Sequence, residues 1–494
     1  MTHLDPRTPV LVGVGQVNQF DETPDVEPVD LMAAAAREAA DPRVLAAVDS
    51  IRVVNLLSWR YRDPGLLLAG RIGAPSARTR YTGIGGNTPQ SLLNQTCRDI
   101  ERGQVSVALL AGAETWRTRM RLRARGIRPD WTRQDESVAI PPGAEDAVPM
   151  SGPAEDRIGL DRPSFVYPLF EQALRIAEGE SQDEHRRRIG HLWARFSAVA
   201  AANPHAWNRE GLSADQIWQP GPDNRMISWP YPKLMNSNNM VDQAAAVIIC
   251  SVERATYLQI PRELWIFPHA GTEAYDTYSI AERHALHRSP AIGIGGRRVL
   301  ELAGTGVDEL DYVDVYSCFP SAVQIAAREL GLPLDDPSRP LTVTGGLTFA
   351  GGPWNNYVMH SIATMAELLR RTPGRGLITA NGGYLTKHSF GVYSTTPPSE
   401  GFRWEDVQPA VDREPTCKAP AQWDGVGTVE SWTTPFDREG RPEKTFLTVR
   451  TPDGARTLAV ITDPAAAAEI ATADIAGARI TVAADGTATL PHGD

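Results

Sequence analysis

Cysteine is scarce, with four in 494 residues: Cys97, Cys250, Cys318 and Cys417. Their wide separation offers no CxxC pair and no zinc spacing, so reduced thiols are expected rather than a disulfide framework. No apolar run approaches the ~20 residues that a membrane-spanning helix needs. The opening MTHLDPRTPV has neither a basic n-region nor an apolar h-region. A cytoplasmic chain with no membrane partner is therefore expected. Positive charge is in deficit, 49 Lys and Arg against 60 Asp and Glu, a net charge of −11. Phosphate backbones would be repelled, which argues against nucleic acid as a general partner. The glycine clusters form neither a Rossmann nor a P-loop pattern. His284 and His287 have helix spacing but no acidic companion of metal-site type, so no metal is expected. The length and the 42% hydrophobic share allow more than one domain, each with a substantial core.

Two stretches share one grammar. The first, Gly83–Glu114, reads GIGGNTPQSLLNQTCRDIERGQVSVALLAGAE. Gly83, Gly85 and Gly86 suggest a tight turn that uses glycine's φ freedom. Pro89 marks a helix start, and Leu92, Leu93, Cys97 and Ile100 share one apolar helix face. Gly103 ends that helix, and Val105–Ala111 is a short buried strand. The second stretch, Gly345–Gly383, repeats the order: a turn at Gly351–Gly352, a helix from about Asn356 to Arg371, a break at Pro373–Gly374 and the strand Gly376–Ala380. Two like units far apart suggest a duplicated α/β fold.

This pair resembles the two halves of a thiolase. By that resemblance, Gly86 stands at the position of the nucleophilic cysteine and Gly352 at that of the histidine in the glycine–histidine–proline segment. Ala380 stands at that of the second catalytic cysteine, or Asn381 if the register slips by one. YPLFEQALRIAEG and NRMISWPYPKLMNSNNMVDQAAAVIICSVERA resemble sterol-carrier-type thiolases. The resemblance implies an N-terminal half over 1–255 with a loop-domain insertion at about 116–232, and a C-terminal half over 256–400. It also implies CoA or acyl-CoA as substrate or ligand, no tightly bound cofactor, and homodimerisation, with a monomer as the other outcome if the added module blocks pairing.

Taken in order, Val10–Gly13 and Ile51–Leu57 read as strands, and Asp30–Ala40, capped by Asp30, and Leu66–Ile72 as helices. Parallel pairing is expected. Arg117, Arg119, Arg121, Arg123, Arg125 and Arg128 form a basic run. It either meets CoA phosphates, with Arg117, Arg119 and Arg121 as candidates, or is a solvated loop. Pro141–Pro153 reads as a loop. Helices are expected over Leu169–Glu178, Glu184–Ala202, Tyr278–Leu286 and Ala291–Leu302, and strands over Ala244–Cys250, Leu264–Ala270 and Asp311–Tyr316. Residues 401–420, rich in Pro, Asp and Glu, read as a linker. Strands follow at Gly425–Ser431, Lys444–Arg450, Thr457–Thr462 and Ala478–Ala483, with PDG and ADG turns and a short helix at Pro464–Thr472. Residues 421–494 thus read as a small β-barrel of the oligonucleotide-binding type, resembling the additional module of type 1 thiolase-like proteins. Six Lys and Arg against eleven Asp and Glu in it argue against nucleic-acid binding.

The chemistry expected of a thiolase needs a thiolate at a helix N-terminus, an oxyanion hole and a second acid/base group. Glycine supplies none of these, so ordinary thiolysis is expected to be weak or absent. Cys97, on the apolar helix face, reads as core. Tyr316-Ser317-Cys318-Phe319 stands where sterol-carrier-type thiolases carry His-Asp-Cys-Phe. Tyrosine in this segment resembles retro-aldolases that cleave 3-hydroxyacyl-CoA with the help of a partner of oligonucleotide-binding fold. Tyr316 is a candidate base if its pKa is lowered, the alternative being a half-buried aromatic. His388 is a second acid/base candidate or else a packed loop residue. Cys318, Asn355 and Asn381 are substrate or oxyanion candidates, and His360 reads as structural. Three readings follow: an acetyl-CoA acetyltransferase-like protein without ordinary thiolase activity, a 3-hydroxyacyl-CoA lyase, or a non-catalytic acyl-CoA binder or scaffold in lipid metabolism.

Overall fold

The computed structural model describes residues 4–21, 26–143 and 149–490. The apolar runs assemble into two five-stranded sheets. The first orders its strands Pro9–Asn18, Asp242–Ser251, Val107–Thr115, Ser50–Val53, Arg78–Tyr81. Ser50–Val53 lies parallel to both its neighbours. Asp242–Ser251, by contrast, runs antiparallel to Pro9–Asn18 and to Val107–Thr115, so the sheet is mixed rather than parallel throughout. Both Val107–Thr115 and Asp242–Ser251 are buried along their whole length, as apolar strands covered on both faces should be. The second sheet orders Arg403–Asp406, Phe267–Tyr275, Lys387–Ser394, Arg375–Gly382, Tyr312–Asp314.

Helices Thr88–Glu101 and Tyr357–Arg371 lie between the sheets and pack on strands of both. Pro28–Ala39 covers the outer face of the first sheet, and Pro290–Ala303 that of the second. The result is a mixed α/β stack, helix–sheet–helices–sheet–helix. Buried amides lock the middle layer. A Cβ on Gly112 would overlap the Asn356 side chain, one on Gly271 that of Asn94, and one on Gly391 that of Gln90. The bare backbone lets these amides bond: Asn356 Nδ2 donates to Gly112 O at 2.8 Å, Asn94 Nδ2 to Phe390 O at 3.3 Å, and Gln90 Nε2 to Asn94 Oδ1 at 2.9 Å.

Residues 425–490 form a curled antiparallel half-barrel, ordered Arg456–Ile461, Thr445–Arg450, Gly425–Thr433, Arg479–Val482, Ala488–Thr489. Its two ends approach at a bridge between Val460 and Thr487. It docks on helix Pro163–Glu178: Ser431 Oγ donates to Leu169 O at 2.5 Å, Arg175 forms a two-armed pair with Asp474 at 2.9 Å, and Phe165 packs on Phe446. Thr433 Oγ1 also donates to Trp229 O at 2.9 Å.

Several local expectations are corrected. Arg403–Asp406, within the stretch read as a linker, is the edge strand of the second sheet, because its backbone finds partners along Ala270–Glu273. The arginine run begins as a helix, Trp116–Ala124, rather than a loop. Asp30 is not the N-cap: it sits in the first turn, and its carboxylate accepts from the backbone N of the cap residue Glu27. Tyr278–Leu286 holds only the 3-10 turn Ile280–Glu282. Part of Pro141–Pro153 lies outside the described residues.

Candidate functional site

The two glycine turns meet at one cavity of about 390 Å³. Gly85 and Gly86 line it from the first turn, Trp354 and Asn355 from the second, and Asn381, Gly382 and Gly383 from the end of Arg375–Gly382. Tyr316, Cys318 and Phe319 form its floor, and Tyr167 enters from helix Pro163–Glu178. Leu57, Leu347 and Met150 make further apolar wall, and Asn236, Ser237 and Asn239 a polar one.

At Gly85 and Gly86 the turn uses glycine for space and not for φ. None of Gly83, Gly85 or Gly86 is among the positive-φ glycines. A Cβ on Gly86 would instead collide with Tyr316 Oη and with Asn381 O. The position expected for a nucleophilic side chain is therefore filled by the Tyr316 hydroxyl. Gly352 differs, since a Cβ there would meet its nearest atom, Asn239 Nδ2, at 3.3 Å, a tight but open fit.

Tyr316 is 8% exposed, and burial, with Cys318 and Tyr357 alongside, holds its phenol well above its ordinary pKa. The lowering on which a resting base would depend is not found: every contribution raises the pKa, and among the described residues the hydroxyl makes no hydrogen bond. The phenol therefore rests in its protonated form. Burial likewise pushes the Cys318 thiol up to about 12, so it is no thiolate. Cys97 is fully buried in the core, with its thiol raised for the same reason.

Asn381 is oriented by Tyr167. The Tyr167 hydroxyl donates to Gly383 O at 3.1 Å and accepts from Leu385 N at 3.0 Å and from Asn381 Nδ2 at 2.9 Å. Asn381 Nδ2 also donates to Cys318 Sγ at 3.8 Å. Both amide hydrogens are then engaged, and Oδ1 is left buried without a partner among the described residues. The oxyanion role expected for Asn381 is corrected: the residue offers an acceptor, suited to a hydroxyl donor. Asn355 is a clamp. Its Oδ1 accepts from Gly85 N at 3.1 Å, and its Nδ2 donates to Asn55 O at 3.0 Å.

His388 does not line this cavity. It borders a much smaller one behind Tyr316, shared with Ala380, Asn381 and Thr379. Its Nε2 is 3.1 Å from Leu385 O and 3.5 Å from Asp276 Oδ2. Ala380 also faces this rear space, so Asn381 is the residue of its strand that reaches the main cavity together with Gly382 and Gly383. Arg117, Arg119 and Arg121 do not line it either. Arg117 lies 3.9 Å from Asp242, and Arg119 donates to Leu57 O at 2.8 Å. Among the described residues, the arginine that lines the cavity is Arg162. Sequence reasoning missed it, along with Tyr167, Asn236, Asn239 and Trp354. Only the quoted segments around Tyr167 and Asn236–Asn239 carried a signal.

Two central helices between two mixed sheets, and a cavity built from two glycine turns, define a thiolase-like α/β protein. The chain belongs to the type 1 thiolase-like proteins that carry an additional C-terminal domain. Residues 406–487 match the family described as the thiolase-like protein type 1 additional C-terminal domain. A monomeric SCP2-thiolase-like protein type 1 from Mycobacterium smegmatis is 31% identical, with a TM-score of 0.83 over 99% of this chain and 100% of that one. An Ltp2–ChsH2(DUF35) aldolase, 17% identical, shares the fold over 79% of this chain and 98% of that one, with a TM-score of 0.59. An acetyl-CoA acetyltransferase of Syntrophomonas wolfei is 29% identical over 150 residues, 29% of this chain and 34% of that protein. That match spans about a third of the relative's length. No helix among the described residues is long and apolar enough to cross a membrane.

Proposed function

We propose that this chain binds acyl-CoA thioesters and forms no acyl-enzyme. The observation that carries this reading is the overlap between Tyr316 Oη and the Cβ position of Gly86. A nucleophilic side chain and this tyrosine compete for one volume. The mainly apolar cavity suits an acyl group, and Arg162 at its wall is the cation placed to meet an anionic ligand. A role in lipid metabolism and a cytoplasmic location belong to the same reading, as do two duplicated halves and a terminal barrel of oligonucleotide-binding type. The superfamily resemblance favours a homodimer, whereas the relative of 31% identity is described as monomeric. Sedimentation of the purified chain distinguishes the two.

A second reading, a lyase on 3-hydroxyacyl-CoA, is favoured by the unpaired Asn381 Oδ1. In retro-aldol cleavage the substrate hydroxyl loses its proton, the C2–C3 bond breaks, and the thioester enolate takes up a proton. Asn381 Oδ1 would orient the hydroxyl as a hydrogen-bond acceptor, and Tyr316 would relay the proton, giving its own to C2 of the enolate and taking up the one the hydroxyl releases, so that the phenol is regenerated. The test is mass-spectrometric product analysis with 3-ketoacyl-CoA and 3-hydroxyacyl-CoA esters, with and without free CoA. Cleavage of a hydroxyacyl ester without CoA supports the lyase. Rapid thiolysis of acetoacetyl-CoA refutes the main proposal. Binding without any product leaves a carrier or scaffold.

A further inference from the structure

Trp354 has a backbone φ of +47°, a left-handed conformation that bulky side chains rarely adopt. Its surroundings over-determine it. Trp354 N donates to Gly352 O at 2.7 Å. The next two residues are pinned to the N-terminal unit, Asn355 through Asn55 O and Gly85 N, and Asn356 through Gly112 O. The indole meets Trp116 edge-on at 5.1 Å, and the Arg119 guanidinium lies 5.4 Å from the Trp116 ring. Trp354 lines the cavity, and its Nε1 is buried with no hydrogen-bond partner among the described residues. Glycine would take this backbone without steric cost. What the strained corner delivers is therefore an indole at the cavity wall with an unused donor, and local strain of this kind clusters at ligand sites.

We propose that Trp354 is the ligand-recognition residue of the cavity: its ring packs on the acyl group, and its N–H donates to an oxygen of the ligand. This rests on the acyl-CoA reading above. The test titrates octanoyl-CoA and 3-hydroxyoctanoyl-CoA into the wild-type chain, W354F and W354G, with circular dichroism and thermal unfolding on the same samples. W354F keeps a ring and loses the donor, and is expected to bind at least one ester about 3- to 10-fold more weakly. W354G relieves the strain and removes the wall. It is expected to keep its fold and bind both esters about 10- to 100-fold more weakly. If W354G fails to fold, W354F alone decides. Should the wild type bind while each folded variant matches it within about twofold, Trp354 is only a structural corner and the proposal falls. Should the wild type bind neither ester, the acyl-CoA reading itself falls.

Discussion

Gly86 and Tyr316 have to be read as a pair. Placing even a methyl group at Gly86 forces the Tyr316 hydroxyl or the Asn381 carbonyl to move. Overpacking of a tight interior typically costs about 1–3 kcal/mol. G86A is therefore expected to lower the unfolding free energy read from urea titration by that order, and Y316F in the same chain to restore only part of it, because Asn381 O still obstructs. A double-mutant cycle reads the coupling. Additive losses would mean that the two residues do not share the space. For the lyase reading, Y316F should abolish cleavage of 3-hydroxyacyl-CoA while leaving its binding within about twofold. An unchanged rate removes Tyr316 from the chemistry.

The buried helix Tyr357–Arg371 carries a pH-dependent element. His360 Nδ1 lies 3.0 Å from Gln16 Oε1, and burial, with His205 nearby, lowers its pKa from 6.5 to about 3. The folded state thus holds it neutral, while the unfolded chain protonates it below 6.5. Its contribution is fully present above pH 6.5 and is lost as pH falls toward 3. At about pH 4 the loss is of the order of 3 kcal/mol. H360Q should therefore be less stable than wild type at neutral pH, with the gap narrowing or reversing in acid. Urea midpoints from about pH 4 to pH 7 check this, and parallel profiles would contradict it.

At the scale of the whole molecule, the half-barrel is tied to the thiolase-like body by a charge cluster whose centre, Arg456, is buried and whose partners Glu430 and Arg450 are partly exposed. Arg456 is fully buried. Its Nε pairs with Glu430 at 2.6 Å, and its guanidinium donates to the carbonyls of Ile280, Ala281 and Arg283. Glu430 also pairs with Arg450 at 2.7 Å. Removing one partner of a buried pair costs about 3–5 kcal/mol, since the other charge is left in low dielectric. R456A should destabilise the chain by about 3 kcal/mol, the low end, because Arg450 still faces Glu430. Calorimetry of the wild type should show one transition, since the barrel packs on the same helix that places Tyr167 in the cavity. Two separated transitions would show that the barrel unfolds independently.

Much of this was determined by the sequence alone. Periodic apolar residues define Thr88–Glu101 and Tyr357–Arg371 as amphipathic helices, and continuous apolar runs define Val107–Thr115 and Arg375–Gly382 as buried strands. These patterns follow from local geometry, as does the glycine that ends Thr88–Glu101, where Gly103 has a φ of +70°. Only the tertiary structure decided what the glycines at the cavity exclude and which polar atoms they leave unpaired. Gly86 is empty because Tyr316, 230 positions later, fills its space. Asn381 presents an acceptor because Tyr167, on a distant helix, takes its donor. The strain at Trp354 has no local sequence signal, since it arises from Asn355 and Asn356 being held by the other sheet. Contacts of that range are set by packing between elements, and no pattern along the chain records them.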